Sequence, residues 1–265
     1  MSYDVDDPIP HDPGTRQYFE ELDRRVFDPR VLRLTAVPGG RPFSYYVDFG
    51  SVRGKDVLEV GCGSGFASQL FAEAGANVTA VDLTEWAVET TRARFAAFGL
   101  AGDVRQADAE LLPFEDGSFD VVFSWGVIHH TTDMDRALRE LVRVLRPGGK
   151  LVLMLYNRRS LFFLVYRAFD RFLPLARRLG LHFEGARAGE RRGLIYRHLT
   201  SAEVAHMLEN VGLSDIRIAP YGQDAELLPL PRRLRVPITD RLPLALRDRL
   251  LRAYGHQLGI SAIKR

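Results

Sequence analysis

The sequence predicts an α/β three-layer sandwich, a mostly parallel sheet with helices on both faces and helical cap insertions. Three observations predict it. Strand-like and helix-like segments alternate from Lys55 to Tyr156, the rhythm of βαβ units. Phe119–Ser124 and Lys150–Tyr156 are nearly continuous apolar runs, as strands covered on both sides require. The strand Asp56–Val60 runs straight into a glycine-rich turn and then a helical pattern.

Taken in order, residues 1–15 read as a frayed tail. Residues 16–35 read as a helix with Phe19, Leu22, Val26 and Phe27 at helical spacing. Pro38, Gly39, Gly40 and Pro42 break the pattern. Phe66–Ala74 and Glu85–Phe98 read as helices; Asn77–Leu83 and Asp103–Gln106 read as strands. Asp133–Leu145 is a helix stopped by Pro147-Gly148-Gly149. Thr200–Val211 is a helix, with Thr200 or Ser201 as cap, Glu203 in its first turn, and Gly212 after it. Asp215–Ala219 and Gly259–Lys264 complete the sheet. The expected organisation is an N-terminal tail and helical lid (1–40), a core (41–157), a cap insertion (158–198), and a C-terminal part of the core (199–265) with a second insertion at about 220–256.

Hydrophobic residues make up 46% of the 265 residues and charged ones 26%, with a net charge of +2; this is an ordinary globular balance. The basic stretch Arg232–Arg252 mixes arginines with leucines, Asp240 and Asp248, which fits the wet faces of amphipathic helices rather than a nucleic-acid footprint. No apolar run reaches the length of a membrane span, and the acidic, proline-rich start has no signal-peptide pattern. Cys62 is the single cysteine, which excludes an internal disulfide and a thiolate cluster. A cytoplasmic setting is expected. No metal site is expected.

The chemistry concentrates in Val57-Leu58-Glu59-Val60-Gly61-Cys62-Gly63-Ser64-Gly65. Glycines let backbone approach a ligand, and the helix that follows offers free N–H groups. A nicotinamide-binding loop would read G-x-G-x-x-G. Here Phe66 stands at the third position, and glycine comes one residue early at Gly65. Glu59 would repel a pyrophosphate and welcome an ammonium or a sulfonium, which points to S-adenosyl-L-methionine (SAM). Asp82, with Leu83 beside it at the end of the next strand, suits two ribose hydroxyls, or a cap for the helix from Glu85. Asp108-Ala109-Glu110 suits an adenine amino group and ring nitrogen, or a loop carboxylate in water.

These motifs, with the run to Phe114, the strand Phe119–Val122 and Leu145-Arg146-Pro147-Gly148-Gly149, resemble the class I SAM-dependent methyltransferases. The likeness is strongest to the group that includes quinone-biosynthesis and natural-product enzymes, and it covers roughly residues 45–156. It implies a Rossmann-like, seven-stranded sheet with the final strand antiparallel. It implies SAM as cofactor and S-adenosyl-L-homocysteine (SAH) as product, and places the Ser124 backbone near the methionine end. It also implies that the N-terminal helix carrying Tyr18 and Phe19 folds over the cofactor.

Ser124-Trp125-Gly126-Val127-Ile128-His129-His130 follows the fourth strand, on the rim where open parallel sheets bind ligands. His129 or His130 is a candidate general base; either could equally be a packing or capping residue, and the sequence does not separate them. Tyr156 and Asn157 end the fifth strand on the same rim. Phe19, Trp125, Phe162, Phe163 and Tyr166 are candidate pocket residues; for the cap aromatics the competing readings are a small core of their own and a membrane contact aided by nearby arginines. The expected partner is a small, fairly apolar acceptor, methylated on oxygen or carbon, with no nucleic acid, and a homodimer is compatible. Alternatives are a cyclisation or decarboxylation on the same fold, and tRNA or rRNA methylation.

Overall fold

The computed structural model describes residues 8–27, 32–165, 167–168, 195–224 and 237–265. Its strands are β1 (Asp56–Val60), β2 (Asn77–Asp82), β3 (Asp103–Gln106), β4 (Phe119–Trp125), β5 (Leu145–Asn157), β6 (His198–Leu199), β7 (Leu213–Tyr221) and β8 (Gln257–Lys264). They form one sheet in the order β3-β2-β1-β4-β5-β8-β7, with the two-residue β6 paired to β5. Neighbours from β3 to β5 run parallel, whereas β8 is antiparallel to both β5 and β7. The Rossmann-like fold is therefore as expected, with β6 added.

Alternation along the strands sends successive side chains to opposite faces. On one face Leu58, Val122, Leu151 and Leu153 pack with α4 (Met134–Val144) and α5 (Ser201–Asn210). On the other, Val57, Val121, Phe123 and Val152 pack with α2 (Phe66–Glu73), α3 (Glu85–Phe98) and the N-terminal residues Phe43, Tyr46 and Val47. Glu59, Trp125 and Tyr156 share the parity of this second face.

Local chemistry sets the ends. Thr200 and Glu203 form a reciprocal capping box at α5. Asp133, one residue outside α4, caps it by accepting from Arg136 N–H. The expected helix 16–35 is shorter: α1 spans Arg16–Val26, and a 3₁₀ turn covers Arg33–Thr35. Residues 28–31 of that stretch lie outside the described residues. α4 likewise stops at Val144, and Leu145 through Gly149 already belong to β5. Further on, α6 (Leu244–Tyr254) leads into β8.

Candidate active site

At the carboxyl ends of β1, β4 and β5 lies a cavity of about 430 Å³. The glycine loop forms one wall. Gly61 has φ +81°, and a Cβ there would stand 2.1 Å from a Val127 methyl. Glycine at this position therefore lets the loop close against the segment that carries the histidines. At Gly63, φ is +54° and nothing lies within 4 Å of a would-be Cβ, so the space beside it is open to a ligand.

Glu59 lines the cavity, is 4% exposed and accepts a hydrogen bond from Ser68 Oγ. Burial pushes its carboxyl up to about 8, although the Ser68 hydrogen bond opposes this. Cys62 also lines the cavity, but burial pushes its thiol up to about 12. That makes it a small packing residue rather than a nucleophile.

Helix α1 contributes Tyr18, Leu22 and Val26 to the lining, and Phe27 follows them, stacked on Phe66 at 4.1 Å. Phe19 does not reach the cavity. It is 1% exposed and lies under the Arg94 guanidinium, 4.5 Å from its centre. Arg94, on α3 and fully buried, donates to Asp23 of α1 at 2.7 and 2.8 Å, to Gln69 at 2.9 Å, and to the Ser64 carbonyl at 2.6 Å. One side chain thus ties α1 to the glycine loop. An arginine inside a helix pattern reads as a solvent residue, so nothing local signals this role.

Asp82, Leu83, Asp108, Ala109 and Glu110 lie at the ends of β2 and β3, outside the lining. Asp82 accepts from the Gly63 N–H at 3.1 Å and from the N–H and hydroxyl of Thr84 at 2.9 Å. It does not cap α3; Thr84 does, held in place by Asp82. Leu83 is exposed, and Ala109 is packed in the core. Asp108 accepts from the Glu110 N–H, and Glu110 accepts from the Asp133 N–H. Trp86, at the start of α3, lines the cavity and was not picked out in the sequence.

The acceptor rim differs from expectation in three places. Asn157 falls on the opposite strand parity from Tyr156 and does not line the cavity; Ser124, expected to serve the cofactor through its backbone, has a buried side chain that is also outside the lining. Asn157 is spent on structure, donating to the Gly255 carbonyl and accepting from Arg159 N–H. Phe162 packs edge-on to His256, and Phe163 stacks on His198, so both sit behind Tyr156 rather than in the cavity. Tyr166 lies outside the described residues.

The two histidines separate. They belong to a 3₁₀ turn, Ile128–His130, in which adjacent residues diverge by about 120°. His129 is fully buried, with no hydrogen bond to either ring nitrogen among the described residues, and its ring lies 4.2 Å from that of Tyr156 at a tilt of 53°. His130 lines the cavity, and its Nδ1 lies 2.6 Å from the Ile195 carbonyl. A carbonyl only accepts, so Nδ1 carries the proton and Nε2 keeps a lone pair. Arg197 clamps the turn from behind through the Thr131 and Thr132 carbonyls. Burial pushes both imidazoles below their ordinary value, His129 far below it. Gln223 and Gln257 add amides to the lining, and neither was anticipated. Among the described residues no group of His, Cys, Asp and Glu could hold a metal ion, and no helix is long and apolar enough to cross a membrane.

A glycine loop after β1, acids after β2 and β3, and a sheet closed by an antiparallel last strand define a nucleoside-binding transferase fold. Residues 58–153 match the family model of a methyltransferase domain, and this match supports a class I SAM-dependent methyltransferase. It is 32% identical over 165 residues to a ubiquinone biosynthesis O-methyltransferase of Ralstonia nicotianae, covering 58% of this chain and 66% of that protein. A protein of the same name from Pseudomonas aeruginosa is 39% identical over 106 residues, covering 40% and 46%. The chain thus spans under two thirds of the length of these curated relatives. A solved SAM-dependent methyltransferase from Mesorhizobium loti shares the fold, with a TM-score of 0.55 at 20% identity over 80% of this chain and 92% of that one.

The residues present fit the family's cofactor, SAM. The open space at Gly63 would admit a ligand against backbone. Glu59 is a buried acid in the cavity wall whose hydrogen bond comes from a neutral hydroxyl, an environment a bound cation would complete.

Proposed function

We propose that the protein methylates a hydroxyl of a small, largely apolar acceptor, with His130 as general base. SAM supplies a methyl group already activated by its sulfonium. The protein's residues then have three tasks. Glu59 and the glycine loop hold the methionine end, and Asp82 and Asp108 serve the ribose and adenine. Tyr18, Phe27 and the rest of the lid exclude water. His130 takes the acceptor's proton, a role worth about 10²–10⁴-fold in rate, while Trp125 and Tyr156 flank the acceptor.

The observation that carries this reading is the His130–Ile195 contact. It fixes the tautomer with a basic nitrogen free on the residue that lines the cavity, while His129 is buried away from it.

The test is tritium transfer from labelled SAM into a small-molecule extract of the source cells, run beside calorimetric titration with SAH. His130→Asn can keep the hydrogen bond to Ile195 and has no base. Transfer should fall about 10²–10⁴-fold with SAH affinity unchanged. Full activity in the variant overturns the role of His130. SAH binding with no label in any metabolite overturns small-molecule methylation. Product formed without consumption of SAM assigns the fold to cyclisation or decarboxylation instead.

A further inference from the structure

Gln257 opens β8, which lies between β5 and β7. Its register pairs it with Tyr156 on one side and Tyr221 on the other, so the three side chains share one face of the sheet. Gln257 is 5% exposed, lines the cavity, and makes no side-chain hydrogen bond among the described residues. Buried amides are ordinarily paired. No described residue pairs with this one, and its amide is open to the cavity.

Its place in the sheet says which ligand it meets. From β1 the order runs to β4, β5 and β8. At about 4.8 Å per strand, Gln257 lies roughly 14 Å from the glycine-loop strand, beyond Tyr156 and on the far side of His130 from the cofactor motif. The walls between are flat rings. Trp125 is 4.9 Å from Phe43 and 5.7 Å from Tyr221, and Tyr156 stands edge-on to His130 at 5.6 Å.

We infer that Gln257 is a specificity-determining residue for the acceptor, and that the acceptor is a hydroxylated aromatic carrying a second oxygen which this amide binds. The rings select a planar body. A primary amide offers both a donor and an acceptor, so it matches a second hydroxyl or a carbonyl on the β8 side of the oxygen at His130. The inference rests on His130 as base, since that fixes where the first oxygen sits.

The test uses the full-length protein saturated with SAH and titrated with 2-naphthol, 2,3- and 2,6-dihydroxynaphthalene, and a hydroxynaphthyl methyl ketone. In the wild type at least one two-oxygen ligand should bind about tenfold more tightly than 2-naphthol, the worth of one hydrogen bond. Gln257→Leu should erase that preference and leave SAH affinity unchanged. Gln257→Glu, which keeps the length of the side chain, should retain a diol and lose the ketone. A preference that survives in Gln257→Leu overturns the inference, as does a fall in SAH affinity, which would move Gln257 to the cofactor side. Failure of every naphthol to bind overturns the acceptor class. Failure of the wild type to bind SAH is a separate result and overturns the proposed function itself.

Discussion

At the β1 edge of the cavity, one run of sequence from Glu59 to Ser64 supplies a wall. At the other edge, His130, Tyr156, Ile195 and Gln257 meet from four separate segments. The first edge is made of backbone whose conformation a few glycines permit. The second is made of side chains whose positions depend on strand register and on a carbonyl more than sixty residues away. A methyl donor common to many enzymes can be held by a portable loop. An acceptor particular to one enzyme needs an assembled surface, which can change without disturbing the loop.

The contrast can be broken at either edge. The largest effect is expected at the assembled edge, where His130→Asn should cut transfer about 10²–10⁴-fold while SAH still binds. Next comes Gly61→Ala, which strikes both edges together. Its methyl would meet Val127 at a position with positive φ, a combined cost of about 2–4 kcal/mol from left-handed backbone and overpacking. Titration with SAH should show a loss of about a hundredfold, and the melting temperature should fall. A normal variant would mean that loop and histidine segment are not packed as described.

The lid offers a smaller perturbation. Asp23→Asn keeps the shape but removes the charge that meets Arg94, worth about 2 kcal/mol. Cleavage of the N-terminal segment by a protease should become faster, and SAH should protect it less. Unchanged protection would show that Arg94 does not couple lid to loop.

The smallest effect is a shift along the pH axis. A base must be deprotonated, so activity falls as pH drops through its pKa. Burial lowers that of His130, which places the acid limb of kcat below about 6.5. A limb at or above that value would point to another base.

The sequence made one edge far more legible than the other. Glu59, Gly61 and Gly63 were readable because their neighbours in space are their neighbours in the chain. Asp82 was half readable: its place after β2 was clear, but its bonds to Gly63 and Thr84 were not. His129 and His130 looked equivalent until the 3₁₀ turn set them about a third of a turn apart. Asn157 was not separable from Tyr156 because sequence gives strand ends only to within a residue or two, and one residue reverses the face. Gln257 and Arg94 carried no local signal. One depends on the antiparallel register of β8 against β5, and the other on a contact between α3 and α1.

The most direct test is of the cofactor edge, on which everything else rests. Calorimetric titration with SAH from pH 6 to 8 should be run on the wild type and Glu59→Gln. In the free protein Glu59 holds its proton up to about pH 8, and an ammonium beside it favours the carboxylate. Wild-type affinity should therefore rise with pH, by up to about tenfold per unit, and each binding event should release a proton. Glu59→Gln should bind about tenfold or more weakly at pH 8 and lose that dependence. Equal affinity and an identical pH profile in the two proteins would contradict a cofactor site at Glu59–Gly65.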